Sequence, residues 1–164
     1  MRPSIYWLES GDARRLAIMA RPRAGDWLPG EIAGWRAEAI DIVVSLLEPH
    51  EVAELELHEQ PALCLAADIE FISFPIPDRS VPASMTETER LVRALSAAVA
   101  AGKTVAIHCR AGIGRSSLIA ACVLVRDGYD VERAFDIIAR ARGLEVPDTQ
   151  AQRAWVSTFL AAMP

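Results

Sequence analysis

The sequence is poor in the residue types that build disulfide frameworks and metal sites. Its 164 residues contain three histidines and only three cysteines, Cys64, Cys109 and Cys122. No two cysteines form a Cys-x-x-Cys pair, and the histidines lack the spacing of metal ligands. The sequence therefore predicts no disulfide framework, no zinc site and no cofactor, and it favours a reducing compartment.

Long apolar runs and excess positive charge are also missing. No run approaches the roughly 18 apolar residues that a membrane span needs. The N-terminus lacks the apolar stretch of about 7–15 residues that marks a signal peptide. The net charge of −5 gives no general reason to expect nucleic-acid or membrane partners. We expect a soluble, cytoplasmic and monomeric protein.

What the sequence has is a regular alternation of strand-like and helix-like segments. A hydrophobic fraction of 52% over 164 residues suits one domain with a sizeable core, spanning 1–164. The predicted strands are apolar throughout, which is typical of buried parallel strands; they are 4–8, 15–20, 41–47, 69–76 and 103–109. The predicted helices are 31–39, one starting at Pro49, 86–102, 113–126, 131–140 and 148–162. This order indicates an α/β fold with a central, mainly parallel sheet flanked by helices.

Two helix starts have local signals. Thr86 and Glu89 are spaced as a capping box for the helix 86–102, and Asp148 is placed as the N-cap of the last helix. In a parallel sheet, ligands bind beyond the carboxyl ends of the strands. The loops that follow strands 69–76 and 103–109 are therefore the candidate site.

The second of those loops, in "VAIHCRAGIGRSS" (105–117), has the features of an anion site. Gly112 and Gly114 lie among the five residues between Cys109 and Arg115. Glycines allow the backbone N–H groups of such a loop to turn inward around an anion, and the following helix N-terminus favours negative charge. Arg115 would grip two oxygens of a phosphate-like group. We call residues 109–115 the cysteine loop.

Cys109 would lie at the bottom of this positively polarised loop. Inward amides and Arg115 favour the thiolate, which is the nucleophilic form of cysteine. Ser116 would hydrogen-bond that thiolate when it departs, and His108 would order the loop. The alternative is an incidental cysteine, because a lone one is usually a small buried apolar residue. The glycines and the arginine at this spacing favour the anion site.

The complete string "HCRAGIGRS", from His108 to Ser116, resembles the signature His-Cys-x5-Arg-Ser/Thr of the cysteine-dependent protein tyrosine phosphatase superfamily. The resemblance is strongest over 41–155 and is greatest to compact dual-specificity-type phosphatases, similar to bacterial members and to the group that inhibits cyclin-dependent kinase signalling. It implies a phosphatase-type three-layer domain that hydrolyses phosphomonoesters through a cysteinyl-phosphate.

The resemblance also implies roles for individual residues. Asp78, in "FPIPDRSVP", takes the position of the family's general acid, and Gln152 takes that of the residue that positions the hydrolytic water, with Gln150 as the second choice. The residues implied to surround the phosphate are Arg110, Ala111, Gly112, Ile113, Gly114 and Arg115.

Several alternatives remain open from the sequence. The chain could be a phosphate-binding module that is catalytically weak, or a rhodanese-like protein acting on sulfur or arsenic, although neither needs Asp78.

The expected substrate is phosphotyrosine in a protein, with phosphoserine or phosphothreonine also able to fit. Arg110 suggests phosphoinositides or other small phosphomonoesters, but Ile113 stands where such relatives usually carry a second basic residue. Cys64 and Cys122 are interpreted as core residues, with a redox partnership to Cys109 left open.

Overall fold

The structure, a computed structural model, describes residues 4–8 and 15–164. They form one five-stranded sheet in the order β1-β2-β5-β3-β4. The strands are β1 (Ile5–Trp7), β2 (Leu16–Met19), β3 (Ile42–Ser45), β4 (Glu70–Ser73) and β5 (Val105–His108). β1 runs antiparallel to β2, and every other pairing is parallel. The prediction of a mainly parallel sheet is confirmed.

The central three strands end level with one another. Met19 of β2 and Ser45 of β3 both pair with His108 of β5. The loop that begins at Cys109 therefore leaves the sheet between two strands that stop at the same edge, which is the edge where parallel sheets bind ligands.

In residues 4–8 and 15–164, seven α-helices cover the sheet. They are α1 (Leu28–Ala37), α2 (Pro49–Glu54), α3 (Gln60–Ala66), α4 (Met85–Ala100), α5 (Arg115–Arg126), α6 (Val131–Arg142) and α7 (Gln150–Ala162). The sequence predicted all of them except α3. Glu56 has a left-handed backbone (φ 55°), and it lies in the turn that separates α3 from the Pro49 helix.

Alternate residues of the central strands lie on opposite faces of the sheet and pack into two separate cores, as the two-residue period of a strand requires. Val105 and Ile107 of β5 pack with α4, α5, α6 and α7, whereas Ala106 packs with α1 and α3 on the opposite face. α5 is buried along nearly its whole length. The domain thus has three layers, as predicted.

The prediction was wrong at β4 and at the start of α4. β4 is not a buried strand, because it forms the sheet edge and leaves Glu70 and Ser73 exposed. The N-cap of α4 is Ser84, whose hydroxyl accepts from the Glu87 N–H at 3.1 Å, so the Thr86–Glu89 capping box does not form. A serine two residues earlier in the chain offers the same cap chemistry, so sequence spacing alone did not decide the start.

The two cysteines outside the loop lie in the core. Burial raises the pKa of the Cys64 thiol to about 12 and raises that of Cys122 well above its usual value. Both are free thiols and behave as small apolar residues. Within the described residues, no helix has both the length and the apolar composition needed to cross a bilayer.

Candidate active site

The cysteine loop is fixed by close backbone packing. Gly112 has φ +71°, and a β-carbon there would lie 2.8 Å from backbone atoms of Met19 and Ala20. A larger residue would therefore have to displace the end of β2. The loop is also tied to the residues after β2, since the Arg21 N–H donates to the Arg110 carbonyl at 3.2 Å.

Cys109 lies at the floor of this loop and is 3% exposed. Its Sγ is 3.3 Å from Ser116 Oγ, in the first turn of α5. The Ser116 hydroxyl can rotate, so it can accept from a thiol or donate to a thiolate. The structure thus brings together the residue predicted as nucleophile and the residue predicted to stabilise it.

His108 is a neutral hydrogen-bonding residue beneath the loop. Its Nδ1 is 3.1 Å from the Cys109 carbonyl, which can only accept, so Nδ1 carries the proton. Its Nε2 accepts from Nε2 of the buried Gln60 at 2.9 Å. Burial, together with the charge of Arg115, lowers the pKa of His108 to about 4 despite the bond to Cys109. The sequence analysis missed Gln60, because α3 itself was not predicted.

Arg115 is buried and holds several partners at once. Its Nη1 donates to Glu51 Oε2 at 2.7 Å and to the Ile76 carbonyl at 2.9 Å, and its Nη2 donates to Glu51 Oε1 at 2.8 Å. The fork-to-fork geometry with Glu51 fixes the plane of the guanidinium.

Glu51 is the main site residue that the sequence analysis missed. Burial favours a raised pKa for its carboxyl, but the hydrogen bonds from Arg115 and the Glu48 N–H, together with the Arg115 charge, bring the pKa below its usual value. Glu51 is therefore ionised at neutral pH. Nothing in "EPHEVAE" distinguishes this one carboxylate from its solvated neighbours, because its partner is 64 residues away.

Asp78 reaches the same arginine from the loop after β4. Its Oδ1 lies 3.1 Å from Arg115 Nη2, and its side chain is 52% exposed. The contact places a solvent-accessible carboxylate beside the group that would hold a phosphate.

The chain around α7 lies on the other side of the loop. The N-cap of α7 is Thr149 and not Asp148, because the Thr149 hydroxyl accepts from the Gln152 N–H. Asp148 packs against the loop instead: a β-carbon at Gly114 would collide with its carboxylate and lie 3.0 Å from Gln152 Nε2. Gln150 is exposed at the start of the helix.

Two arginines flank the loop in different ways. Arg142, at the end of α6, donates to the carbonyls of Gly112 at 3.1 Å and Ala111 at 3.3 Å, and it stacks on the Tyr6 ring. These bonds hold the loop carbonyls on its outer side. Arg110 is 45% exposed, with Nη1 3.7 Å from Glu54. Arg142 was not predicted as a site residue, because its contacts with the loop are made over about thirty positions of the chain.

Replacing Glu51 tests the buried ion pair. Glu51→Gln should lower the free energy of unfolding by about 3–5 kcal/mol, because it leaves the buried Arg115 without its counter-charge. The control is Glu54→Gln on the same helix, which removes an exposed pair and should cost less than about 1 kcal/mol. Urea denaturation measures both. Equal losses in the two variants would contradict the assigned importance of Glu51.

The lowered pKa of His108 predicts a specific pH dependence. The unfolded chain binds a proton at His108 more tightly than the folded chain does. The contribution of His108 to the free energy of unfolding is therefore complete above about pH 6.5. As the pH falls towards 4, the free energy of unfolding should decrease by up to about 3 kcal/mol. His108→Asn should flatten this part of the profile, whereas the exposed His50→Asn should not. Unchanged slopes in His108→Asn would refute the assignment.

Comparison with known proteins agrees with this geometry. The family model described as "Tc-R-P: Polymorphic toxin system, DSP-PTPase phosphatase" matches residues 19–129. The "Protein tyrosine phosphatase domain-containing protein 1" of Danio rerio is 40% identical over 81 residues; the match covers 49% of this chain but only 10% of that protein.

Among the solved structures that share the fold are two phosphatases. A kinase associated phosphatase (KAP), with serine in place of its catalytic-site cysteine, superposes with a TM-score of 0.86 at 21% identity, covering 100% of this chain and 99% of the other. Tk-PTP in its active form gives a TM-score of 0.80 at 26% identity, covering 99% and 100%. Since the family model spans more than half of the sequence, the chain belongs to the DSP-PTPase phosphatase family.

Proposed function

We propose that the chain is a cysteine-dependent phosphatase that hydrolyses phosphotyrosine in proteins, and phosphoserine or phosphothreonine in the same pocket. The observation that carries the proposal is the arrangement around Arg115. The guanidinium is oriented by Glu51 and lies next to the Asp78 carboxylate, and Arg115 belongs to the cysteine loop whose first residue is Cys109. This arrangement binds an oxyanion beside a nucleophile and a proton donor.

In the first step the Cys109 thiolate attacks phosphorus. The loop amides and Arg115 stabilise the equatorial oxygens, and the bond from phosphorus to the leaving oxygen breaks as the Sγ–phosphorus bond forms. A protonated Asp78 gives its proton to the leaving oxygen. Because Asp78 and a phosphate oxygen compete for Arg115 Nη2, substrate binding releases Asp78 towards the leaving group.

In the second step water attacks the cysteinyl-phosphate. Asp78, now a carboxylate, takes a proton from the water as the oxygen–phosphorus bond forms and the sulfur–phosphorus bond breaks. The Ser116 hydroxyl, 3.3 Å from Sγ, donates to the departing thiolate. Inorganic phosphate leaves, and the enzyme returns to its starting state.

Substrate choice is assigned to the rim of the site. Arg110 is half-exposed and only loosely paired with Glu54, so it can contact groups beyond the phosphoryl oxygens. A panel of phosphotyrosine and phosphoserine peptides, phosphoinositides and sugar phosphates measures this preference. Cytoplasmic location and a monomeric state remain predictions from the sequence.

Removing the nucleophile should separate chemistry from binding. Cys109→Ser should lower turnover of p-nitrophenyl phosphate by about three orders of magnitude or more, because a hydroxyl is a far weaker nucleophile at this position. Phosphate should still protect the variant against thermal unfolding, since the loop amides and Arg115 are intact. Substantial residual turnover would show that the mechanism is wrong.

The loss of kcat/KM on removing the general acid should depend on the leaving group of the substrate. Asp78→Asn should lower kcat/KM for an alkyl phosphate by about 10²–10⁴-fold and for p-nitrophenyl phosphate much less, because nitrophenolate leaves without protonation. Asp136→Asn, an exposed carboxylate of α6, is the control and should match the wild type. Equal losses of kcat/KM for both substrates would assign the acid elsewhere.

A further inference from the structure

The turn that carries Asp78 has a conformation that needs support. The Ser80 N–H donates to the Pro77 carbonyl at 3.0 Å, which closes residues 77–80 into a tight turn. Within it Arg79 has φ +59°, a left-handed backbone that is unfavourable for a non-glycine residue. We call residues 77–80 the acid turn. Its shape persists because neighbouring groups hold it.

The strongest of those groups is Gln152. Its side-chain Nε2 donates to the Ser80 carbonyl at 3.0 Å, two residues beyond Asp78. Its Oε1 accepts from the Thr149 N–H at 3.2 Å, which completes the capping box of α7. One amide thus joins the start of α7 to the acid turn.

The same corner touches the cysteine loop. Gln152 Nε2 and the Asp148 carboxylate both lie against Gly114, where a β-carbon would not fit. Arg79 adds a second link, since its Nη1 lies 4.0 Å from Asp148 Oδ1. This pair is mostly exposed and therefore weak. Besides the direct contacts of Asp78 and the Ile76 carbonyl with Arg115, the acid turn is therefore tied to the cysteine loop mainly through Gln152.

Gln152 is poorly placed to hold a water in the reaction pocket. The residue is 0% exposed, and both ends of its amide already have protein partners. Because the residue is fully buried, presenting its second N–H or its oxygen to a water would require the side chain or the acid turn to move.

We propose, on the basis of the function proposed above, that Gln152 is a positioning residue for Asp78 that acts in the first step, and not the residue that orients water in the second. The hydrogen bond to Ser80 sets where the Asp78 carboxyl meets the leaving oxygen. Its loss should therefore resemble a partial loss of Asp78 itself.

The test variant is Gln152→Glu. A glutamate can still accept from the Thr149 N–H, so the capping box and the helix start are retained. It cannot donate to the Ser80 carbonyl while ionised. Ala151→Glu, at an exposed neighbouring position, adds the same charge to the same helical turn and is the matched control.

The expected result is a loss that depends on the leaving group. Gln152→Glu should lower kcat/KM for an alkyl phosphate by about tenfold or more but for p-nitrophenyl phosphate by less than about threefold. In an Asp78→Asn background the same substitution should have little further effect, because the two residues act on one proton transfer. Ala151→Glu should show neither effect. If Gln152→Glu does not fold, Gln152→Met, which removes both hydrogen bonds at similar length, should show the same pattern.

A water-positioning role predicts different kinetics. The variant would then lose kcat equally for both substrates, and rapid mixing with p-nitrophenyl phosphate would show a burst of nitrophenolate as cysteinyl-phosphate accumulates. That result, or wild-type rates, would overturn the proposal and leave the phosphatase assignment intact. Full activity of Cys109→Ser would instead overturn the proposed function and this role with it.

Discussion

The buried ion pair between Arg115 and Glu51 is the constraint on which the rest of the site depends. A guanidinium this deeply buried is stable only with a counter-charge and filled hydrogen bonds. Glu51 supplies the charge from α2, and the Ile76 carbonyl adds a bond from the chain after β4. These contacts of Arg115 therefore fix two separate segments, α2 and the chain after β4, around the start of α5. The ion pair also offsets the charge of Arg115, so the oxyanion binding that we propose would rely on the direction of the N–H groups as well as on charge.

The elements around the loop have separate tasks. His108 and Gln60 support it from below, Arg142 holds its carbonyls from outside, and Gln152 joins it to the acid turn. Each contact is made by a different helix or strand end. The chemistry itself rests on only a few groups, whereas most of the surrounding polar residues determine where those groups stand.

Much of this arrangement could be predicted from the sequence, because its signals are local. The alternation of apolar strands and helices indicated the layered fold, and the spacing within 108–116 indicated the anion loop. Residues whose importance depends on a distant partner could not be found. Glu51, Gln60 and Arg142 resemble ordinary helix residues until the fold brings them to the loop. The edge position of β4 was missed for the same reason, since strand order is set by long-range pairing and not by composition.

The stack of Arg142 on Tyr6 gives the N-terminal strand a structural role at the site. Tyr6 belongs to β1, in a part of the chain where the sequence shows no functional pattern, yet its ring carries the guanidinium that holds the Ala111 and Gly112 carbonyls. β2, its hairpin partner, ends where Gly112 makes its closest approach to the sheet. The antiparallel edge of the sheet therefore supports the shape of the cysteine loop. The shape of the cysteine loop, which begins at Cys109, depends in part on Tyr6, more than one hundred positions earlier in the sequence.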